Sequence, residues 1–350
     1  MKKLIKIFSV SMLVSLIFIC FILFSTTYGH ELRVIAAESI LTSQHRDFAK
    51  LTLLSQKELD GVLASINNPN WKNSQPLNTA KFSEKKLKEK TNEPLNIKIE
   101  TIKKDGSTKY FFEGKLMTIS NPLNVKLVTQ KGSQGENNGE KISVMAQRNH
   151  ALAAVNASGF PDETGHGGGK VPLGTVIANG QVINTIQNNM DEQSLIAGLT
   201  KYGEMITGNY SAKQLLGKQV VSAAGFEPQL IVNGEKMITT GDGGWGYGPR
   251  TIMAQKKDGS IMFLVIDGRQ PHSIGASLKD CQDLLYDRGA VNALAMDGGS
   301  SATLYALGKI QNIPSTLSHK DRFLPNCWIV SANKDQKTDV TIDGKHVVQN

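Results

Sequence analysis

A carboxylate followed by two glycines and two hydroxyls ends a short apolar run in the C-terminal part of this chain. The run covers residues 290–296, and the residues after it are Asp297, Gly298, Gly299, Ser300 and Ser301. A short run of small and apolar residues bounded by glycines is typical of a buried strand, which holds the next side chain rigidly. Taken alone, the pattern is more typical of a turn with a capping aspartate. Asp297 therefore becomes a candidate catalytic carboxylate only if other polar groups join it.

Three further strand ends carry side chains that suit a sugar or a phosphate. The run at 261–266 is followed by Asp267, Arg269, His272 and Ser273. The strand expected to pair with this run starts with Arg250 and Thr251. The run at 152–155 is followed by Asn156 and Phe160. Guanidinium groups bind phosphate, and amides, hydroxyls and carboxylates bind sugar hydroxyls. Each group alone has an ordinary explanation, such as a solvated arginine, a turn asparagine or a core aromatic. Their convergence predicts a site for a phosphorylated sugar.

Other chemistries are disfavoured. Residues 241–246 match the dinucleotide-binding glycine pattern, but Tyr247-Gly248-Pro249 follows and cannot open a helix to receive a pyrophosphate. Residues 166–169 resemble an oxyanion loop, yet the chain has no Gly-x-Ser-x-Gly motif, which argues against a serine hydrolase. The histidines lack zinc-ligand spacing. No cofactor is required, and a metal stays open, since Ca²⁺ could bind if the fold gathered three carboxylates: Asp242, Asp267 and Asp297.

The N-terminal segment is a targeting sequence. Lys2, Lys3 and Lys6 precede an uncharged stretch over 7–24, which predicts export with cleavage near residue 29 or near Ala36 and Ala37 and leaves an uncleaved anchor open. Residues 1–29 hold three lysines and no acid, so without them the formal charge of +8 falls to +5. This mild charge, without interleaved aromatic residues, suits an anionic cell envelope and not a nucleic acid. We expect a protein outside the cell or in its envelope, touching a membrane only through this segment.

The rest of the chain divides into a polar spacer, one domain and a tail. Residues 30–94 are polar, with apolar residues at helical spacing only within 47–65. Beyond them, short strands alternate with Asn-Gly and Asp-Gly turns, including an Asp105-Gly106 hairpin. This pattern predicts an α+β domain over 95–334, with a mixed, largely antiparallel sheet and few helices, followed by a tail over 335–350.

Two helices of that domain have clear boundaries in the sequence. One is expected to enter at Ser143, and the other begins with a capping box of Ser277 and Asp280 and stops at Gly289. Besides the cysteine of the targeting segment, the chain has only Cys281 and Cys327. One disulfide is therefore the most that the domain could form.

The motifs together closely resemble the phosphodiester glycosidase family. They lie in order at 156–160, 172–180, 228–234, 249–251, 267–275 and 297–301, within a stretch from about 109 to 330. The resemblance implies a secreted bacterial member that cleaves between the anomeric carbon of a sugar and a phosphate, as in a GlcNAc-1-phosphodiester. The implied substrate is a phosphorylated glycan of the cell wall, capsule or exopolysaccharide.

The resemblance also implies roles for the candidate residues. Asp297 leads as the carboxylate that activates water or attacks the anomeric carbon, Asp267 is second, and His272 could supply a proton. Because phosphate is a weakly basic leaving group, its protonation matters less than in ordinary glycoside hydrolysis. Arg250 and Arg269 are expected to hold the phosphate. The other expected substrate-binding residues are Asn156, Phe160, Thr251, Ser273, Gly298, Gly299, Ser300 and Ser301.

Two alternatives to this hydrolase stay open. One is a non-catalytic module that binds phosphorylated glycans at the cell surface. The other is a phosphodiesterase that cuts on the far side of phosphorus and leaves a sugar phosphate.

Overall fold

The computed structural model describes residues 2–43, 45–77, 82–84, 93–104, 111–131, 139–162 and 168–349. The predicted Asp105-Gly106 turn lies outside these residues. The chain divides into two compact units, one of residues 1–68 with 244–246 and one of residues 69–243 with 247–350.

The smaller unit is helical. Its α-helices are α1 (Lys2–Ser25), α2 (Thr27–Leu41) and α3 (Gln56–Asn67), and a 3-10 helix covers Arg46–Thr52. The stretch Ile5–Ser25 is long and apolar enough to cross a membrane, and it is not buried against the rest of the protein.

This unit differs from the expected polar spacer. The helix expected within 47–65 is divided in two, because Ser55 begins a new helix with a capping box to Glu58. Helix α2 was not predicted, and it packs on α3 and the 3-10 helix through a small apolar core of Ala37, Leu41, Ala49, Leu54, Leu59 and Ile66.

The larger unit consists mainly of short strands. Its helices are α4 (Ile142–Arg148), α5 (Ala212–Gly217) and α6 (Leu278–Asp287). Its strands are β1 (Leu95–Lys104), β2 (Phe112–Ile119), β3 (Val125–Thr129), β4 (Glu140–Lys141), β5 (Ala153–Asn156), β6 (Val176–Ala178), β7 (Gln181–Asn184), β8 (Gln193–Thr200), β9 (Met205–Ser211), β10 (Val220–Gly225), β11 (Gln229–Val232), β12 (Glu235–Lys236), β13 (Arg250–Lys256), β14 (Ile261–Ile266), β15 (Ala290–Met296), β16 (Leu304–Ala306), β17 (Lys309–Ile310), β18 (Phe323–Leu324), β19 (Asn326–Val330), β20 (Thr338–Ile342) and β21 (Lys345–Gln349).

These strands form three large sheets and one small one. A nine-stranded sheet has the order β12-β11-β15-β13-β14-β2-β1-β20-β21. Two five-stranded sheets have the orders β7-β6-β10-β8-β9 and β17-β16-β5-β19-β3, and β18 pairs with β4. Among the described strands, only β1 and β20 pair in parallel. The predicted α+β class with a mixed, largely antiparallel sheet is confirmed.

One apolar core joins the three large sheets. Strand β1 alternates strictly at its start, so that Leu95, Ile97 and Ile99 all face inward and are at most 1% exposed. Trp328 of β19 belongs to another sheet and packs against Phe263 of β14, which is in the same sheet as β1, with ring centroids 6.4 Å apart. This shared core fixes the ends of β5, β14 and β15 relative to one another.

Both helices predicted for the domain are confirmed. Helix α4 begins one residue before Ser143, whose N–H and Oγ donate to Oδ2 of Asp321 at 3.0 and 2.7 Å. Helix α6 has the predicted capping box of Ser277 and Asp280. The sequence could not show that the first cap comes from a residue so distant along the chain.

In the C-terminal part of the domain, one expectation needs correction and the open question of a disulfide is answered. Residues 335–350 are not a tail, because β20 and β21 extend the nine-stranded sheet and Val340 of β20 is only 1% exposed. Cys281 and Cys327 are both free and buried, so no disulfide joins them. Burial raises the pKa of the Cys281 thiol to about 12.

Candidate active site

Asp297 lies at the point where β15 leaves the sheet. Its N–H donates to the carbonyl of Ala157, just beyond β5, at 2.9 Å. The half-buried carboxyl group receives a hydrogen bond from Ser301, and the charge of Arg322 favours its ionised form, whereas Asp162 opposes it. Desolvation outweighs the favourable contacts and raises the pKa of Asp297 to about 6. Asp297 is therefore a carboxylate that can take up a proton under mildly acidic conditions.

Asn156 joins the two sheets next to Asp297. Its Nδ2 donates to the backbone carbonyl of Asp297 at 2.5 Å, and its Oδ1 accepts from Thr251 Oγ1 at 2.8 Å and from the N–H of Thr303 at 3.1 Å. All of these atoms are fully or partly buried. Asn156 and Thr251, both predicted to bind substrate, thus brace the turn that carries Asp297.

The glycines after the two candidate aspartates permit a close approach to Pro249. A methyl group on Gly298 would lie 2.8 Å from the carbonyl oxygen of Pro249, and one on Gly268 would lie 2.6 Å from its nitrogen. Gly299 has φ +56° and donates its N–H to the same carbonyl at 3.0 Å. The Asp-Gly pattern therefore brings the ends of β14 and β15 together around the start of β13.

Asp267 and His272 form a second group of titratable side chains. Oδ2 of Asp267 lies 3.1 Å from Nε2 of His272, and Oδ1 accepts from Nδ2 of Asn312 at 2.9 Å and from the N–H of Ile313 at 3.0 Å. Asp267 is only 5% exposed, and burial raises its pKa while these hydrogen bonds oppose the rise. Asp267 is thus arranged to orient His272, which is the more exposed of the two.

The two predicted arginines lie around a short bridge between Gly248 and Ala276. Nε of the buried Arg250 donates to the carbonyl of Ala276 at 3.1 Å. Nη2 of Arg269 would lie 3.6 Å from a methyl group on Gly248, and Nη1 would lie 3.5 Å from one on Gly299. Arg269 is exposed as a residue, yet the protein atoms around its guanidinium group lower its pKa by desolvation. Its charge therefore borders the Asp297 turn.

Sequence reasoning missed an ion pair on the other side of this turn. Nη2 of Arg322 donates to Oδ2 of Asp162 at 2.7 Å, and Nη1 donates to Oγ of Ser300 at 2.6 Å. The guanidinium carbon lies 4.9 Å from the ring centroid of Phe160, which is 8% exposed. Nothing in the sequence around Arg322 distinguishes it from a solvated loop arginine, because its partners lie far away along the chain.

Ser273 and Ser301, both predicted to bind substrate, lie in the turns that hold the aspartates. Oγ of Ser273 donates to the carbonyl of Asp267 at 2.6 Å and accepts from the N–H of Glu113 at 3.1 Å. Ser273 is fully buried, and Ser301 is 1% exposed. The structure thus places both hydroxyls behind the carboxyl groups.

One further carboxyl group near the end of β15 was not predicted. Glu227 precedes Pro228, whose carbonyl accepts from the N–H of Ala295 at 3.0 Å. Burial alone raises the pKa of Glu227 to about 7. The motif at 228–234 begins one residue after Glu227, so it does not single out this carboxyl group.

The described residues contain no group of three or more His, Cys, Asp or Glu side chains arranged to hold a metal ion. Asp242, Asp267 and Asp297, which are all described, therefore do not form such a group. The carboxylate of Asp267 is instead bound by Asn312, Ile313 and His272.

The fold and the site together define a class of protein. Two sheets bring a carboxylate with raised pKa, two arginines and several amide and hydroxyl groups to one joined edge, which suits a glycan that carries a phosphate. The chain belongs to the phosphodiester glycosidase family, whose sequence model matches residues 149–331. The resemblance seen in the motifs is thereby confirmed.

Known proteins similar to this chain come from bacteria and animals. An uncharacterized SPbeta prophage-derived protein, YomE of Bacillus subtilis, is 27% identical over 185 residues, which are 51% of this chain and 28% of that protein. The N-acetylglucosamine-1-phosphodiester alpha-N-acetylglucosaminidase of Bos taurus is 25% identical over 235 residues, or 61% of this chain and 42% of the bovine protein. The chain thus spans less than half the length of these relatives.

A solved structure supports the fold. The catalytic domain of the zebrafish N-acetylglucosamine-1-phosphodiester alpha-N-acetylglucosaminidase, auto-inhibited by its pro-peptide, superposes with a TM-score of 0.56 and 24% sequence identity. The match covers 68% of this chain and 83% of the zebrafish chain.

Proposed function

We propose that this protein is an exported glycosidase that hydrolyses the bond between the anomeric carbon of a sugar and a phosphate, in a phosphoglycan of the cell wall or an exopolysaccharide. GlcNAc-1-phosphodiesters are the proposed substrate type, since animal members of the family are named for them. The observation that carries the proposal is the Asp297 turn, where a half-buried carboxylate is followed two residues later by Gly299, which lies beside the guanidinium group of Arg269.

In this proposal Asp297 acts in its ionised form. The carboxylate either attacks the anomeric carbon or removes a proton from the attacking water, and either role needs a free electron pair on oxygen. Since burial raises the pKa of Asp297 to about 6, the carboxylate is both more basic than an exposed aspartate and still ionised at neutral pH.

The bond between the anomeric carbon and the phosphate oxygen breaks, and the electron pair leaves with the phosphate. The anomeric carbon takes its new oxygen from water, either directly or by hydrolysis of the glycosyl ester formed with Asp297. Arg269 and Arg250 stabilise the phosphomonoester that forms. Asp267 orients His272, whose Nε2 lies 3.1 Å from Oδ2 of the aspartate, so that the imidazole can donate a proton to the leaving group. A weakly basic phosphate needs this proton less than an alkoxide does.

The N-terminal helix supports a location outside the cell or in its envelope. The stretch Ile5–Ser25 of α1 fits either a cleaved signal sequence or an anchor. Either way the domain would meet phosphorylated glycans of the envelope, and no other membrane contact is proposed.

The test is hydrolysis of a GlcNAc-1-phospho-alkyl ester by the purified full-length protein in detergent. We expect free GlcNAc and an alkyl phosphate, and at least about a thousandfold loss of kcat in Asp297→Asn. Asp191→Asn is a matched control, because Asp191 is exposed and forms a surface ion pair with Lys213. That variant should keep full activity.

Each alternative gives a different outcome of this test. Sugar phosphate as the product, detected by phosphorus NMR, would identify a phosphodiesterase that cuts on the far side of phosphorus. Glycan binding that survives in Asp297→Asn, with no turnover of any sugar by the parent protein, would identify a binding module. Both outcomes would contradict the proposed hydrolase.

A further inference from the structure

The guanidinium group of Arg322 is held by contacts with three neighbouring side chains. Its guanidinium group donates to Asp162 and to Ser300 and lies over the ring of Phe160. The side chains of Arg322 and Asp162 are only 13% and 18% exposed. Hydrogen bonds to two side chains and a ring against its face make the guanidinium group of Arg322 part of the protein structure. Arg269 is exposed, so it is the better suited of the two to bind the phosphate of a substrate.

The contacts of Arg322 act on the Asp297 turn in two ways. Through Ser300 the guanidinium holds the backbone three residues beyond Asp297, and through its charge it favours the ionised carboxylate. Asp162 binds the same guanidinium and opposes that ionisation. Arg322, Asp162 and Asp297 thus form one group of three interacting charges, which we call the electrostatic group.

Other titratable groups also lie around the end of β15. They belong to β13, to the loop after β14 and to the segment before β11: Arg250, Asp267, Arg269, His272 and Glu227. The guanidinium group of Arg269 lies beside the turn at Gly299. None of them bonds to Arg322 among the described contacts.

We propose that Arg322 is a positioning residue for the hydrolysis, holding Ser300 and stabilising the Asp297 carboxylate, while Asp162 holds the guanidinium in place. This role rests on the function proposed above. It assigns the Arg322–Asp162 pair to the machinery of the site, although neither residue belongs to the motifs that carry the family resemblance.

The test follows the carboxyl carbon of Asp297 by NMR in protein labelled with ¹³C at aspartate, with the signal assigned by its loss in Asp297→Asn. Removing the positive charge in Arg322→Gln should raise the pKa of Asp297 by about one unit or more. Removing the negative charge in Asp162→Asn should lower it. In Arg322→Lys, which keeps the positive charge, the pKa of Asp297 should stay close to that in the parent protein. This variant shows whether a shift in Arg322→Gln comes from the lost charge or from a folding defect.

Two further variants separate charge from geometry. Ser300→Ala should leave the titration of Asp297 unchanged but lower kcat, because it removes the anchored hydroxyl and not the charge. Arg148→Gln is the matched control, since Arg148 forms a similarly enclosed pair with Glu140, with side chains 22% and 13% exposed, and the charges that act on the pKa of Asp297 are those of Arg322 and Asp162. It should move neither the titration nor kcat.

The proposal is overturned if Arg322→Gln and Asp162→Asn leave the titration of Asp297 unmoved or shift it in the same direction. The titration needs no substrate, so it can be measured and interpreted even if the protein does not hydrolyse GlcNAc-1-phosphodiesters. Absence of turnover would refute the proposed function, and the opposite shifts would still establish the electrostatic group. With turnover, the acid limb of the kcat profile should follow the same two shifts.

Discussion

Asp297 is placed where its charge is unfavourable for folding. Burial raises its pKa from 3.8 to about 6, so the folded chain binds a proton more tightly than the unfolded chain does. The contribution of Asp297 to the free energy of unfolding therefore falls as pH rises from 3.8 to about 6, and this loss of stability stays constant at higher pH. Such a cost is common where a side chain is kept for chemistry and not for packing.

Asp297→Asn should therefore stabilise the protein at neutral pH while abolishing activity. We expect a gain of about 1–3 kcal/mol in the free energy of unfolding at pH 7, because each unit of pKa shift corresponds to about 1.4 kcal/mol. The gain should largely vanish at pH 3.5, where the aspartate is mostly protonated even in the unfolded chain. Urea unfolding at the two pH values measures it, and a variant that is less stable at both would contradict the argument.

His272→Gln should cost far less activity than Asp297→Asn. A general acid normally contributes about a hundredfold or more, but a phosphate leaves without much help, so we expect a loss of about tenfold in kcat. His346→Gln is the control, because His346 pairs with Asp339 in an exposed strand. A loss in His272→Gln as large as that in Asp297→Asn would show that proton transfer, and not phosphate stabilisation, limits the reaction.

At the scale of single elements, the joined ends of β13, β14 and β15 depend on glycine. A methyl group on Gly298 would lie 2.8 Å from the carbonyl of Pro249, so Gly298→Ala must push the Asp297 turn outward. We expect a loss of about 1–3 kcal/mol in stability and at least about tenfold in kcat.

The control for this change is Gly217→Ala. Gly217 ends α5, has open space where a methyl group would go and does not adopt positive φ. Alanine there should be neutral or stabilise the fold by up to about 1 kcal/mol. If Gly298→Ala behaved like Gly217→Ala, the close approach to Pro249 would not shape the site.

The sequence predicted the elements of the site better than its contacts. Strand β15 and helix α6 were predicted with their boundaries because short-range signals define them: an apolar run, a capping box and a terminal glycine. Arg322 could not be predicted, since its contacts with Asp162 and Ser300 cross 160 and 22 residues of chain. The period of a pattern reports which face of an element is buried, and it does not report which distant loop lies against it.

At the scale of the whole molecule, the same limit explains the misjudged tail. Residues 335–350 are short and rich in charged and polar residues, which on their own favour an exposed segment. They form strands because β1 offers an edge to β20, and that parallel pairing joins residues more than 240 positions apart. Long-range pairing of this kind leaves little trace in local sequence.

Truncation tests the structural role of this C-terminal hairpin. A chain ending at Lys334 loses β20 and β21, exposes the edge of β1 and removes Val340 from the core, so we expect a loss of several kcal/mol and aggregation. A chain ending at Gly344 loses only β21, whose side chains are mostly exposed, and should lose about 1 kcal/mol or less. Denaturation midpoints compare the two, and equal stability would contradict the assignment of β20 to the core.

The position of β20 between β1 and β21 brings the two ends of the domain together. Leu95 is opposite Thr338, and Asp339 is opposite Gln349, so the first and last strands begin and end on the same side, about 10 Å apart across two strand spacings. A polypeptide that enters and leaves a domain at neighbouring points can be spliced into a longer chain at a single loop without disturbing its interior. Such neighbouring entry and exit points suit a domain whose matched stretch makes up 28% of one longer relative and 42% of another.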